Sequence, residues 1–145
     1  MAGRVEEVIP LFQGGFNCSQ IVLMSFCEKY GLDKKQALKL GCGLGGGMRS
    51  GEVCGAVSGA ILVIGLKYGQ SDMKDQATKE TCYAKTTEFI NLFKEKKQSI
   101  ICRDLLGYDL SKEGERESAT RDEIFKKVCP EMIISAIQLL EELGY

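Results

Sequence analysis

The side chains in this sequence that could do chemistry are its seven cysteines: Cys18, Cys27, Cys42, Cys54, Cys82, Cys102 and Cys129. Histidine is absent, which removes imidazole bases, mixed Cys/His metal sites and a His-ligated haem from this chain. A cysteine can serve as a metal ligand, as a redox or nucleophilic thiol, or as a small packed hydrophobe. No CxxC pair occurs, so a zinc ribbon and a thioredoxin-like pair both lack a local signature. A disulfide framework is not expected either. The cysteine count is odd, and Met1 leads into an amphipathic start, Val5–Ile9, with no apolar secretory core. Any shared cysteine site must therefore be assembled by tertiary folding.

Four of the seven fall at expected helix starts. In Phe16-Asn17-Cys18-Ser19-Gln20-Ile21, Asn17 is an N-cap and Gln20 completes a capping box. Phe16 and Ile21 can form the hydrophobic staple, and Cys18 takes the first helical position. Cys54 sits in the first turn of a helix expected to start after Ser50 and to end near Lys67-Tyr68-Gly69. Cys102 lies near the start of a short helical turn, Ser99–Gly107. Cys129 precedes Pro130, and proline is preferred at the first helical position, so Cys129 is expected at an N-cap. A helix start carries about half a positive charge and unpaired N–H groups, which stabilise a thiolate. Burial alone explains one such cysteine. Four together, without histidine, point to a shared function.

The other three read differently. Cys82 shares a helix face with Phe89 and Phe93 and suits the core. Cys27 lies about half a turn round from Cys18, and Cys42, in a glycine-rich loop, is the better auxiliary candidate.

The elements that must position these residues are helical. Apolar residues recur at a 3.6-residue period almost throughout, with no convincing alternating strand. The expected elements are Arg4–Phe12 (with Pro10 kinking or ending it), Cys18 to about Gly31, and Lys34–Leu40 capped by Asp33. The central helix follows, then a long helix from Ser71-Asp72 to about Lys97. After a polar loop, Tyr108–Ser118, a Thr120/Glu123 capping box opens a short helix ending near Lys127, and the last helix starts at Cys129-Pro130. This describes residues 1–145 as one all-α domain, a compact multi-helix bundle.

At its centre is Gly41–Tyr68, a glycine-rich loop running into an apolar helix. Glycine inside a helix costs about 1 kcal/mol relative to alanine. The row Gly51, Gly55, Gly59 therefore predicts a partner helix or a bound group almost touching the backbone, and such a face would serve a homo-oligomer contact equally well. Gly41-x-Gly43-x-x-Gly46 matches the dinucleotide fingerprint in letters, but no βαβ unit surrounds it. With Arg49 nearby, the loop could still hold an anion.

These residues also resemble a family. Phe16-Asn17-Cys18-Ser19-Gln20, Gly45-Gly46-Gly47-Met48, Cys54-Gly55-Ala56-Val57-Ser58-Gly59 and the later Cys102 and Cys129 resemble the bacterial and archaeal C-GCAxxG-C-C redox-active proteins. The central motif here reads Cys-Gly-Ala-x-x-Gly, a transposition of the family label. The resemblance implies that Cys18, Cys54, Cys102 and Cys129 are the characteristic cysteines. It also implies relatives with selenocysteine, which favour thiol chemistry, and a domain fused to haem segments in a multihaem cytochrome, which favours an iron–sulfur cluster.

A formal net charge of −1 with interspersed signs gives no case for nucleic acid or an anionic membrane, and the longest apolar run, Val53–Leu66, is too short to span a bilayer. The protein is expected in the cytoplasm, exchanging electrons with an unidentified redox partner protein. Three readings of the cysteines follow. In the first, Cys18, Cys54, Cys102 and Cys129 ligate an iron–sulfur cluster for electron transfer or redox sensing. In the second, Cys54 is the catalytic or switching thiol of a thiol–disulfide oxidoreductase. In the third, the four thiolates hold a structural zinc in a helical interaction module. Whether the protein is an enzyme stays open between them.

Overall fold

The computed structural model describes residues 2–145; Met1, which leads the expected amphipathic start, lies outside them. The chain folds into helices α1 (Ala2–Glu6), α2 (Val8–Gln13), α3 (Cys18–Cys27), α4 (Lys34–Gly41) and α5 (Gly55–Tyr68). It continues through α6 (Gln76–Lys97), α7 (Cys102–Leu106), α8 (Glu115–Arg121) and α9 (Ile124–Glu142). The architecture is all-α, as the periodicity requires. Among the described residues the one isolated β-bridge pairs Val53 with Ile101, antiparallel. No described helix is long and apolar enough to cross a membrane.

Local signals explain most boundaries. The expected first helix breaks at Glu7, and the chain resumes at Val8 with Pro10 in the first turn of α2, where a missing N–H is tolerated. At α3 the capping box forms: Asn17 Oδ1 accepts the Gln20 N–H at 3.1 Å, and Gln20 Oε1 accepts the Asn17 N–H at 2.9 Å. Asp33 caps α4 by accepting the Gln36 N–H at 2.9 Å. The long helix starts at Gln76 rather than at Ser71-Asp72, because Asp75 is the residue whose carboxylate takes the Thr78 N–H.

Ile21, Val22 and Phe26 of α3, Val57, Ala60 and Ile64 of α5, Phe89 and Phe93 of α6, and Ile133, Ile137 and Leu140 of α9 form the main core. The glycine row does seat a helix, and that helix is α3. A Cβ on Gly59 would lie 2.9 Å from the Ser19 carbonyl oxygen, and one on Gly55 would lie 3.1 Å from Cys18 Cβ. Gly51 is not on this face, since α5 begins four residues later.

Ser50 caps nothing in α5, which overturns the expected start. Gly46, Gly47, Met48 and Arg49 have φ of 68°, 63°, 60° and 60°, a turn of left-handed backbone. A right-handed helix cannot run through it, so the chain becomes extended at Glu52–Cys54 before α5 begins.

The end of the chain departs further from expectation. Glu115–Arg121 is helical, not loop, and Thr120 lies inside α8 with its hydroxyl donating to the Arg116 carbonyl. Glu123, at φ 57°, starts α9, which continues unbroken through Pro130. An interior proline costs a helix about 3 kcal/mol. Here Ile124, Phe125 and Val128 pack against a second core of Cys102, Leu106, Leu110 and Ala119. Burying such side chains contributes about 1.5–3 kcal/mol each when complete, enough to hold a first turn that proline alone would have removed.

Candidate functional site

Cys18, Cys54, Cys102 and Cys129 all line one cavity of about 350 Å³. Cys18 is the first residue of α3, Cys54 the N-cap of α5 and Cys102 the first residue of α7. These three begin helices as expected. Cys129 does not: it projects from within α9, one residue before Pro130. The proline reading failed there because packing carried the helix a further turn upstream.

The remaining cysteines lie away from the cavity lining. Cys27 is buried and its thiol donates to the Met24 carbonyl at 3.4 Å. Cys82 is half-buried against the main core, as its face suggested. Cys42, the expected auxiliary candidate, is exposed and lies outside the cavity lining.

The polar residues around Cys18 explain its placement. Asn17 Nδ2 donates to the Cys42 carbonyl at 2.9 Å, Ser19 Oγ to the Gly41 carbonyl at 2.5 Å and Gln20 Nε2 to the Leu38 carbonyl at 3.0 Å. Together they satisfy the carbonyls left over at the end of α4. They also bind the glycine loop to the start of α3. Gly55 then admits Cys18 beside α5.

Cys54 and Cys102 are joined through backbone. The Cys54 N–H donates to the Ile100 carbonyl at 2.7 Å, and the Cys102 N–H donates to the Glu52 carbonyl at 2.6 Å. Val53 and Ile101 form the bridged pair between them. Extended residues alternate faces, so the two cysteines flanking that pair share the opposite face. That face is the cavity. This contact joins segments almost fifty residues apart and has no sequence signature.

Burial governs the thiols. It pushes Cys54 up to about 11, against the opposing pull of the Ala56 and Val57 N–H groups at the start of α5. It pushes Cys102 up to about 12, helped by the neighbouring sulfurs of Cys54 and Cys129. Cys18 is raised well above the usual thiol range by its hydrogen bond with Cys129, then by burial. The same bond lowers Cys129. An easily ionised Cys54 was expected from its helix start; the amides are in place, but desolvation outweighs them.

Among the described residues no three Cys, Asp or Glu side chains stand close enough to hold one metal ion. One tetrahedral zinc requires four sulfurs roughly 3.8 Å apart, given Zn–S bonds of about 2.3 Å. A multi-iron cluster instead spreads its thiolates around its own sulfides, more widely than the ligands of a single ion.

No curated protein and no solved structure matches the chain. The model of the family described as "Putative redox-active protein (C_GCAxxG_C_C)" matches residues 16–143, from Phe16 beside the first cavity cysteine to Leu143 beyond the last. The chain belongs to this redox-active family.

Proposed function

We propose that Cys18, Cys54, Cys102 and Cys129 ligate an iron–sulfur cluster, and that the protein transfers electrons to a partner protein or senses redox state. The observation that carries this reading is the presence of these four thiols, from four helices, on one cavity. The cluster would supply one-electron chemistry. The chain contributes thiolates, N–H donors from Ala56 and Val57 at Cys54, and an apolar wall that limits water. All seven cysteines are free thiols, which suits a reducing compartment such as the cytoplasm.

The test is anaerobic purification or reconstitution with iron and sulfide, followed by metal analysis and visible absorption. Wild-type protein is expected to hold iron in stoichiometric amounts with charge-transfer absorption. Serine at any one of Cys18, Cys54, Cys102 or Cys129 is expected to lower iron content sharply, while C42S and C82S load normally. A folded protein that stays colourless and iron-free overturns the reading.

The Cys18–Cys129 contact favours thiol–disulfide exchange as a second reading. A thiolate attacks a substrate disulfide, one substrate thiol leaves, and the second cysteine displaces the other, so two electrons pass to the substrate. Cys129, the lowered thiol, suits the attack better than the buried Cys54. Metal-free protein that forms a Cys18–Cys129 disulfide with oxidised glutathione, releasing two equivalents of glutathione, supports it. Structural zinc held by the same four thiolates is the third reading.

A further inference from the structure

The cavity has more than sulfur in it. Its exposed rim carries Arg49 and Arg116, and its lining contains no Asp or Glu. The two arginines are not equivalent. Arg116 is a brace: its guanidinium donates to the Leu110 carbonyl at 3.0 Å and to the Arg49 carbonyl at 3.5 Å. The Arg49 side chain has no hydrogen-bond or ion-pair partner among the described residues.

The backbone holds Arg49 at considerable cost. Met48 and Arg49 both have φ of 60°, a left-handed conformation that residues with a Cβ adopt only under constraint. Such strain persists where surrounding structure enforces it, commonly at ligand clamps. Gly46 completes the arrangement. The guanidinium lies across it so closely that a Cβ there would be 3.1 Å from Arg49 Nη1.

A counter-charge for the sulfurs is the competing role. Arg49 is poorly placed for it: among the leading influences on the four thiols it enters only at Cys102, behind Arg103. Arg103 is itself paired with Glu52 at 3.0 Å. The same cavity is lined by the apolar side chains of Phe12, Phe16, Leu105 and Phe125, with Asn17 and Thr120 its uncharged polar side chains. A volume of about 350 Å³ falls within the range of small-molecule sites, about 300–1,000 Å³.

From this geometry we infer that the cavity binds a small organic acid, its single anionic group paired with Arg49 and its apolar body lying between Phe16 and Phe125 over the cysteines. This deepens the redox reading by naming a class of ligand for the same cavity, and it rests on that reading only for what lies beneath the ligand. Binding itself requires only the cavity and Arg49.

Octanoate is the probe, with octanamide as its uncharged counterpart, titrated calorimetrically into the anaerobically purified full chain. One octanoate is expected to bind per chain, with R49Q weakening it about tenfold or more through loss of a charge-assisted hydrogen bond. R49K should retain part of the affinity, and octanamide should bind more weakly and be indifferent to R49Q. Arg49 is exposed, so circular dichroism should show R49Q folded. Absent binding, equal affinity for both probes, or octanoate affinity unchanged in R49Q overturns the proposal. Iron content of the same preparations separates the two claims. Octanoate binding without iron upholds this site and sinks the cluster, whereas iron loading without octanoate binding sinks this site alone.

Discussion

Cys54 and Cys102 are held in register by two backbone hydrogen bonds, Cys54 N–H to Ile100 and Cys102 N–H to Glu52, so neither sulfur can move without the other's strand. Gly47 lies beneath this contact. Its φ is 63°, and a Cβ there would approach the Glu52 carbonyl oxygen to 2.7 Å and Cys102 Cβ to 2.9 Å. G47A should therefore break the ladder and cost about 1–3 kcal/mol in denaturant unfolding. It should also lower iron loading although it removes no ligand. Unchanged loading would mean the ladder does not position the sulfurs.

Helix α5 offers an internal contrast between two glycines. A Cβ at Gly59 meets Ser19 backbone at 2.9–3.0 Å, whereas one at Gly65 meets nothing within 4 Å. Helix propensity favours alanine at both positions by about 1 kcal/mol. G65A should gain up to that amount, while G59A should lose about 1–3 kcal/mol because α3 must retreat. Urea unfolding midpoints of the two variants decide it.

Burial of the thiols makes metal-free stability depend on pH. Cys54 rises from 9.0 unfolded to about 11 folded, so the folded state holds its proton more tightly. The resulting stabilisation is complete below about pH 9 and disappears as pH rises through 11. For this nearly dry group it is on the order of 2–3 kcal/mol. Reduced, metal-free protein should lose stability over that window, and C54A should lose less. Parallel pH profiles for wild type and C54A would refute the assignment.

Met48 is exposed and left-handed, so its side chain gives little in return for the strain. M48G should raise the thermal midpoint, by relief of about 1 kcal/mol. A lower midpoint would show that the Met48 side chain holds the loop.

Sequence logic reached furthest where the cause is local. Asn17 and Gln20 announced the start of α3, Asp33 that of α4, and Cys82 its place beside Phe89 and Phe93, because capping and facing depend on residues three or four apart. It failed at Ser50, where four left-handed residues replaced a helix start, and at Thr120/Glu123. It failed again at Cys129-Pro130. In the last case distant packing from Phe125 and Val128 outweighed a local preference.

The order of residues by itself determined an all-helical chain, the absence of histidine chemistry, and four cysteines distinguished from the other three. Only the tertiary structure decided that Cys129 reaches the cavity from within a helix, that Cys54 and Cys102 meet through a two-bond ladder, and that Arg49 stands at the rim. The physical reason is range. Caps and periodicity act within a turn of chain, whereas a shared cavity depends on contacts between segments tens of residues apart, which a linear pattern does not encode.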